Sequence, residues 1–140
     1  MIHIVNPSPT QLAILDKLPS NINRSSLIHS LLCSLNLNLI KIPLIPASSS
    51  QLGYFHSDDY IDFLLNPNLK DASQFGLLDD SPIFPELPDY AKLVAGSTLS
   101  ATNALKSGCK IAINWDGGRH HAKQFVYLIQ RRSCWFLLCK

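Results

Sequence analysis

Apolar and polar positions alternate with two different periods along the chain, and the changes of period outline its elements. Ile2-His-Ile-Val5 suits a short strand, closed by the turn-forming Asn6-Pro-Ser-Pro9. Between Thr10 and Leu18 the apolar Leu12, Ile14, Leu15 and Leu18 fit a short helix stopped by Pro19. Asn21 to Ser26 reads as loop and cap. Leu27, Ile28, Leu31, Leu32 and Leu35 then recur at the spacing of a helix with one buried face. His29 and Cys33 lie on that helix as packing or surface residues.

Leu37 to Ile45 alternates as a strand does, and Pro43 places it at an edge or interrupts it. Ala47 to Gln51 reads as a Ser-rich linker. Ser57 is a suitable N-cap for a helix in which Asp58 and Asp59 favour the positive end, with Tyr60, Phe63 and Leu64 as its buried stripe. Asn66 to Asp80 is loop. The strongest helical pattern runs from Pro88 to Lys106. Ala95-Gly-Ser97 allows it to approach a sheet closely, and Gly108 is its stop. Lys110 opens a central strand whose apolar run is Ile111 to Ile113. Helix, tight glycine turn and buried strand are the sequence of elements in a parallel α/β sheet.

At 140 residues the chain has one domain's worth of sequence, enough for a core but short for a large enzyme domain with its own cleft. Hydrophobic residues at 46% and charged residues at 16% exclude a disordered acidic or basic tail. The net charge of +2 is spread without runs, which gives no electrostatic case for nucleic acid or membrane binding. The four cysteines, Cys33, Cys109, Cys134 and Cys139, form no CxxC pair and read as free thiols. With no apolar run long enough for a membrane span and no basic leader, the expectation is an intracellular soluble protein.

Candidate chemistry concentrates after the last strand, in Asn114-Trp-Asp-Gly-Gly-Arg-His-His121. Two glycines let the backbone turn sharply and deliver adjacent imidazoles beyond the carboxyl end of a strand, where open α/β sheets bind ligands. One imidazole can take a proton from water while the other holds charge beside the reacting centre. His-His alone is also compatible with an ordinary surface pair.

The full string is more specific. It resembles the signature of zinc-dependent histone deacetylases of the class I type, and Trp115-Asp-Gly-Gly-Arg-His-His121 looks most like the fungal Hos branch. Phe55-His-Ser-Asp-Asp-Tyr-Ile-Asp-Phe-Leu64 is similar to a structural segment of the same family.

The resemblance implies a partial, truncated arginase/deacetylase-like α/β fold, a parallel sheet with flanking helices, and hydrolysis of N-acetyl-lysine by a zinc-activated water. By position His121 is the general base and acid and His120 its electrostatic partner. Asp80, before Ser81 and Pro82, matches a rim residue that binds the backbone amides flanking the acetyl-lysine; Gly118 is the second substrate-binding position. Arg24 matches an arginine of the internal acetate channel. Ser81 replaces the family's common cysteine. The implied partners are an acetylated histone or other acetyl-lysine protein and a corepressor complex, with no direct nucleic acid or membrane contact. The implied location is the nucleus, with the cytoplasm second.

The resemblance covers residues 1–123, the N-terminal portion of a deacetylase domain, and stops there. Residues 124–140 diverge, and the family's later Asp-x-His pair and further Asp, its zinc ligands, have no counterpart, so this chain alone is expected to be inactive. It also lacks the later strands that would cover a parallel sheet, so poor solubility or partial folding is expected. Shifting the codons of the tail by one base forces a glycine across Trp135 and Phe136. It permits Ala-Ala-Gly-Phe-Cys-Tyr-Val-Asn over residues 133–140, the family's missing segment. An out-of-frame tail after Lys123 follows, although one base change does not account for its spacing. The competing reading is a true C-terminal helix with Phe125, Leu128, Ile129 and Phe136 on one face. Functionally the alternatives are a lysine deacetylase by descent and a non-catalytic, partner-binding remnant.

Overall fold

A computed structural model describes residues 1–19, 22–75 and 83–117. Three parallel strands, β1 (Ile2–Asn6), β2 (Leu39–Pro43) and β3 (Ile111–Ile113), form a sheet in the order β2-β1-β3. Ile4 of β1 is opposite Lys41 of β2 and Ile113 of β3. Among the described residues five helices accompany it: α1 (Pro9–Leu15), α2 (Arg24–Ser34), α3 (Ser49–Leu52), α4 (Asp58–Leu65) and α5 (Leu87–Lys106). The small parallel α/β architecture is the one expected of a partial arginase/deacetylase-like fold. Pro43, which cannot donate to a ladder, closes β2 at the sheet's edge. The expected central strand differs: among the described residues β1 is in the middle and β3 is an edge.

Helix α5 organises the core because it packs against all three strands and α1. Leu93 and Ala101 of α5 join Val5, Leu15 and Leu44 in one buried cluster. Leu87 joins Leu18, Phe63, Leu64, Ala72 and Phe84 in a second, where the rings of Phe63 and Phe75 stack at 4.5 Å. The small residues of α5 serve a close approach, though chiefly to the segment that follows β2 rather than to the strands. A Cβ on Gly96 would lie 2.2 Å from the Ile45 carbonyl oxygen and 2.6 Å from the Ala47 nitrogen. Gly108, at φ +99°, takes the left-handed conformation that ends the helix.

Further sequence expectations are corrected, among them the loop expected over Asn21 to Ser26, whose last three residues open α2. Helix α1 stops at Leu15 rather than Leu18, because the chain turns at Asp16, whose carboxylate accepts from the Ser26 amide at 3.0 Å and from the Ser26 hydroxyl. Leu18 is still buried, but in the second cluster. The expected linker at Ala47–Gln51 contains α3. There Ser48 and Gln51 form a reciprocal capping box, just as Ser8 and Gln11 do at the start of α1.

The largest correction concerns α2. Its expected buried stripe faces solvent: Leu27, Leu31 and Leu35 are 68%, 58% and 53% exposed, whereas Ser25 and His29 are buried. Ile28 and Leu32 are half-buried. The helix is turned by the polar partners that Ser25 and His29 find across the fold. Leu27, Leu31 and Leu35 succeed one another at four-residue intervals on the opposite side.

Candidate functional site: the turn after β3

The turn begins where β3 leaves the sheet, at Asn114. The Asn114 side-chain amide donates to Ser97 Oγ at 2.9 Å and to Thr98 Oγ1 at 3.2 Å, both on α5, while its Oδ1 accepts from the Asp116 amide at 3.0 Å. Ser97 is fully buried, and its single hydroxyl hydrogen is directed to the Val94 carbonyl at 2.7 Å. Asn114 therefore ties the turn both to α5 and to itself.

A second set of bonds ties it to α2. The buried Asp116 carboxylate accepts from Ser25 Oγ at 2.5 Å on one oxygen and from His29 Nε2 at 2.8 Å on the other. Ser25 and His29 are four residues apart, so they stand on one face of α2 a turn apart. Arg24 Nη1 adds a bond to the Trp115 carbonyl at 3.2 Å. An ionised carboxylate only accepts, so His29 Nε2 carries the hydrogen between them.

Burial works to raise the Asp116 pKa. The hydrogen bonds from His29 and Ser25, together with the positive charges of His29 and Arg24, outweigh it and leave the carboxyl below its ordinary value. The sequence of bonds excludes a nucleophilic role for Ser25. Its hydroxyl donates to the carboxylate and not to the imidazole, so His29 is not placed to take its proton.

Beside Asp116 is a cavity of about 20 Å³, walled by Leu15, Leu18, Arg24, Ser25, Tyr90 and the turn itself. It has room for about one water. Arg24, the first residue of α2, is thus at both the cavity and the turn.

Of the sequence-derived site residues, Arg24 is placed by the structure; His120, His121, Gly118 and Asp80 lie outside the described residues, as does the divergent tail. The described chain ends at Gly117, three residues before His120. Ser25, His29 and Asp116 were not picked out as a group by the sequence. His29 read as packing or surface, and the only signal of its partner was an aspartate directly after an apolar strand, 87 residues away. Among the described residues no group of three or more His, Cys, Asp or Glu could hold a metal ion. His29 and Asp116 are committed to each other. The described residues do not fit a zinc centre by themselves.

The helices among the described residues are none of them long and apolar enough to cross a membrane. Cys33 and Cys109 are free thiols. Compared with known families, residues 18–126 match the histone deacetylase domain, a span that includes α2, α5, β3 and the clamped turn.

Proposed function

The chain belongs to the histone deacetylase domain family, and from that premise we propose that it is the N-terminal portion of a protein lysine deacetylase, nearest the class I type and its fungal Hos branch. The reaction is hydrolysis of an N-acetyl-lysine amide, with an acetylated histone or similar protein as substrate. The observation that carries the reading is the turn after β3, fixed from two sides by α2 and α5 immediately before Gly118-Arg-His-His121.

In this reading His121 accepts a proton from the attacking water and returns it to the departing lysine amine. His120 stabilises charge beside it. Asp80 accepts hydrogen bonds from the substrate backbone; a carboxylate suits this because two N–H groups can be received at once, in charge-assisted bonds. Gly118 lets the substrate approach the backbone closely, and Arg24 lines the route by which acetate leaves. The family is generally zinc-dependent, the metal polarising the acetyl carbonyl and activating water. Residues 1–123 supply the histidine pair and residues 124–140 are an out-of-frame tail; with no counterpart of the family's zinc ligands among its 140 residues, this chain by itself releases no acetate. Nuclear location and a corepressor complex complete the proposal.

The test is the transcript through and beyond the codons for Lys123. An in-frame Gly-Phe-Cys-Tyr segment followed downstream by Asp-x-His supports a deacetylase. A confirmed stop after Lys140 in every transcript overturns the enzymatic reading and leaves a non-catalytic remnant.

A further inference from the structure

We propose that Ser25, His29 and Asp116 form a polar clamp that sets the position of the Trp115–Gly117 turn, with His29 as a positioning residue for the histidine pair that follows. The inference rests on the deacetylase reading only for the task of that pair; the clamp itself stands on its own geometry.

The first support is that both carboxylate oxygens are used. Ser25 holds one at 2.5 Å and His29 the other at 2.8 Å, so the carboxylate cannot rotate without losing a bond. Both donors come from one helix face, and Arg24 on the same helix holds the adjacent Trp115 carbonyl. Side chain and backbone of the turn are therefore referred to the same rigid element.

The second support is what the turn lacks. Gly117 is followed by Gly118, and neither supplies a side chain to fix the backbone. Among the described residues a Cβ on Gly117 would meet only the Asn114 side-chain nitrogen, at an ordinary 3.5 Å, and Gly117 has no left-handed φ that would demand glycine. The position of the turn must come from its neighbours, and on the α2 side those are Ser25, His29 and Arg24.

The third is energetic. A buried carboxylate with its polar partners is commonly no better for stability than well-packed apolar residues of the same volume, and the best-attested use of such buried polar groups is to select one arrangement over others. Here the arrangement selected is that of the Trp115–Gly117 turn, which precedes His120 and His121 in the chain.

The full chain, labelled for NMR, is compared with His29→Phe, His29→Gln, Asp116→Asn and Ser25→Ala. Two readouts are taken: amide exchange at Trp115, Asp116 and Gly117 relative to Leu99–Asn103 of α5, and the imidazole nitrogen signals of His120 and His121. Removing one clamp bond should speed turn exchange about tenfold relative to α5. His29→Phe and Asp116→Asn should also shift both imidazole signals. His29→Gln, which keeps an N–H donor, should restore most of the protection, which a purely space-filling role would not require.

Unchanged turn exchange and unchanged imidazole signals in the folded variants overturn the proposal. So does an equal rise in exchange across turn and α5, or a His29→Gln no better than His29→Phe. Should His29→Phe fail to fold, Ser25→Ala decides by the same two readouts. No readout uses acetyl-lysine, so a transcript that ends after Lys140 refutes the deacetylase reading and leaves the clamp standing.

Discussion

Helices α5 and α2 carry similar apolar patterns and bury opposite kinds of face. Helix α5 turns Leu87, Leu93 and Ala101 inward and follows its pattern; its buried polar residues, Ser97 and Ser100, are small and bonded. Helix α2 turns Ser25 and His29 inward and leaves Leu27, Leu31 and Leu35 in water. The difference lies in what each helix meets. Sheet, α1 and α4 surround α5 with apolar surface, whereas α2 meets the buried carboxylate of Asp116. A buried carboxylate needs its donors, and Ser25 and His29 supply them from one face of α2, so the polar contact sets the rotation of the helix.

The contrast can be broken by removing its cause. Asp116→Ala leaves His29 and Ser25 buried without their acceptor and should cost about 3–5 kcal/mol, read as a shift in the urea midpoint. A leucine truncated on each helix gives the next comparison. Leu93→Ala, at a site only 3% exposed, should cost about 2–5 kcal/mol. Leu31→Ala, at a site 58% exposed, should change stability by less than about 0.5 kcal/mol. Equal costs would mean that α2 buries its leucines after all.

Acid offers a third, smaller effect. The folded Asp116 carboxyl titrates below its ordinary value, so its contribution is fully present above the unfolded pKa near about 4 and is lost as pH falls through the lowered folded value. The stability gap between the wild-type chain and Asp116→Asn should therefore narrow below about pH 4. Urea midpoints across that range measure it, and a gap that widens in acid would reverse the sign argued here.

Much of the framework was legible because it is written in local patterns. Ile2–Val5 and Ile111–Ile113 are short apolar runs bounded by turn residues, and the long period of α5 ends at a glycine that does adopt positive φ. The missed helix α3 was also locally encoded, in Ser48 and Gln51 at capping-box spacing, but four helical residues are too few to show a period. The rotation of α2 was not legible. Its cause is a bond between residues 87 positions apart, and the helix presents two apolar rows between which periodicity cannot choose. For the site, the sequence drew attention to the right turn but to the residues after it. The structure describes instead the residues that hold the turn in place.

The most direct test is a double-mutant cycle on His29 and Asp116, using His29→Ala, Asp116→Ala and the pair, with unfolding free energies from urea titration. A clamp predicts a coupling of about 1–3 kcal/mol, because the second substitution removes a partner already orphaned by the first. Losses that add within about 0.5 kcal/mol would contradict it, since the two side chains would then contribute to stability independently.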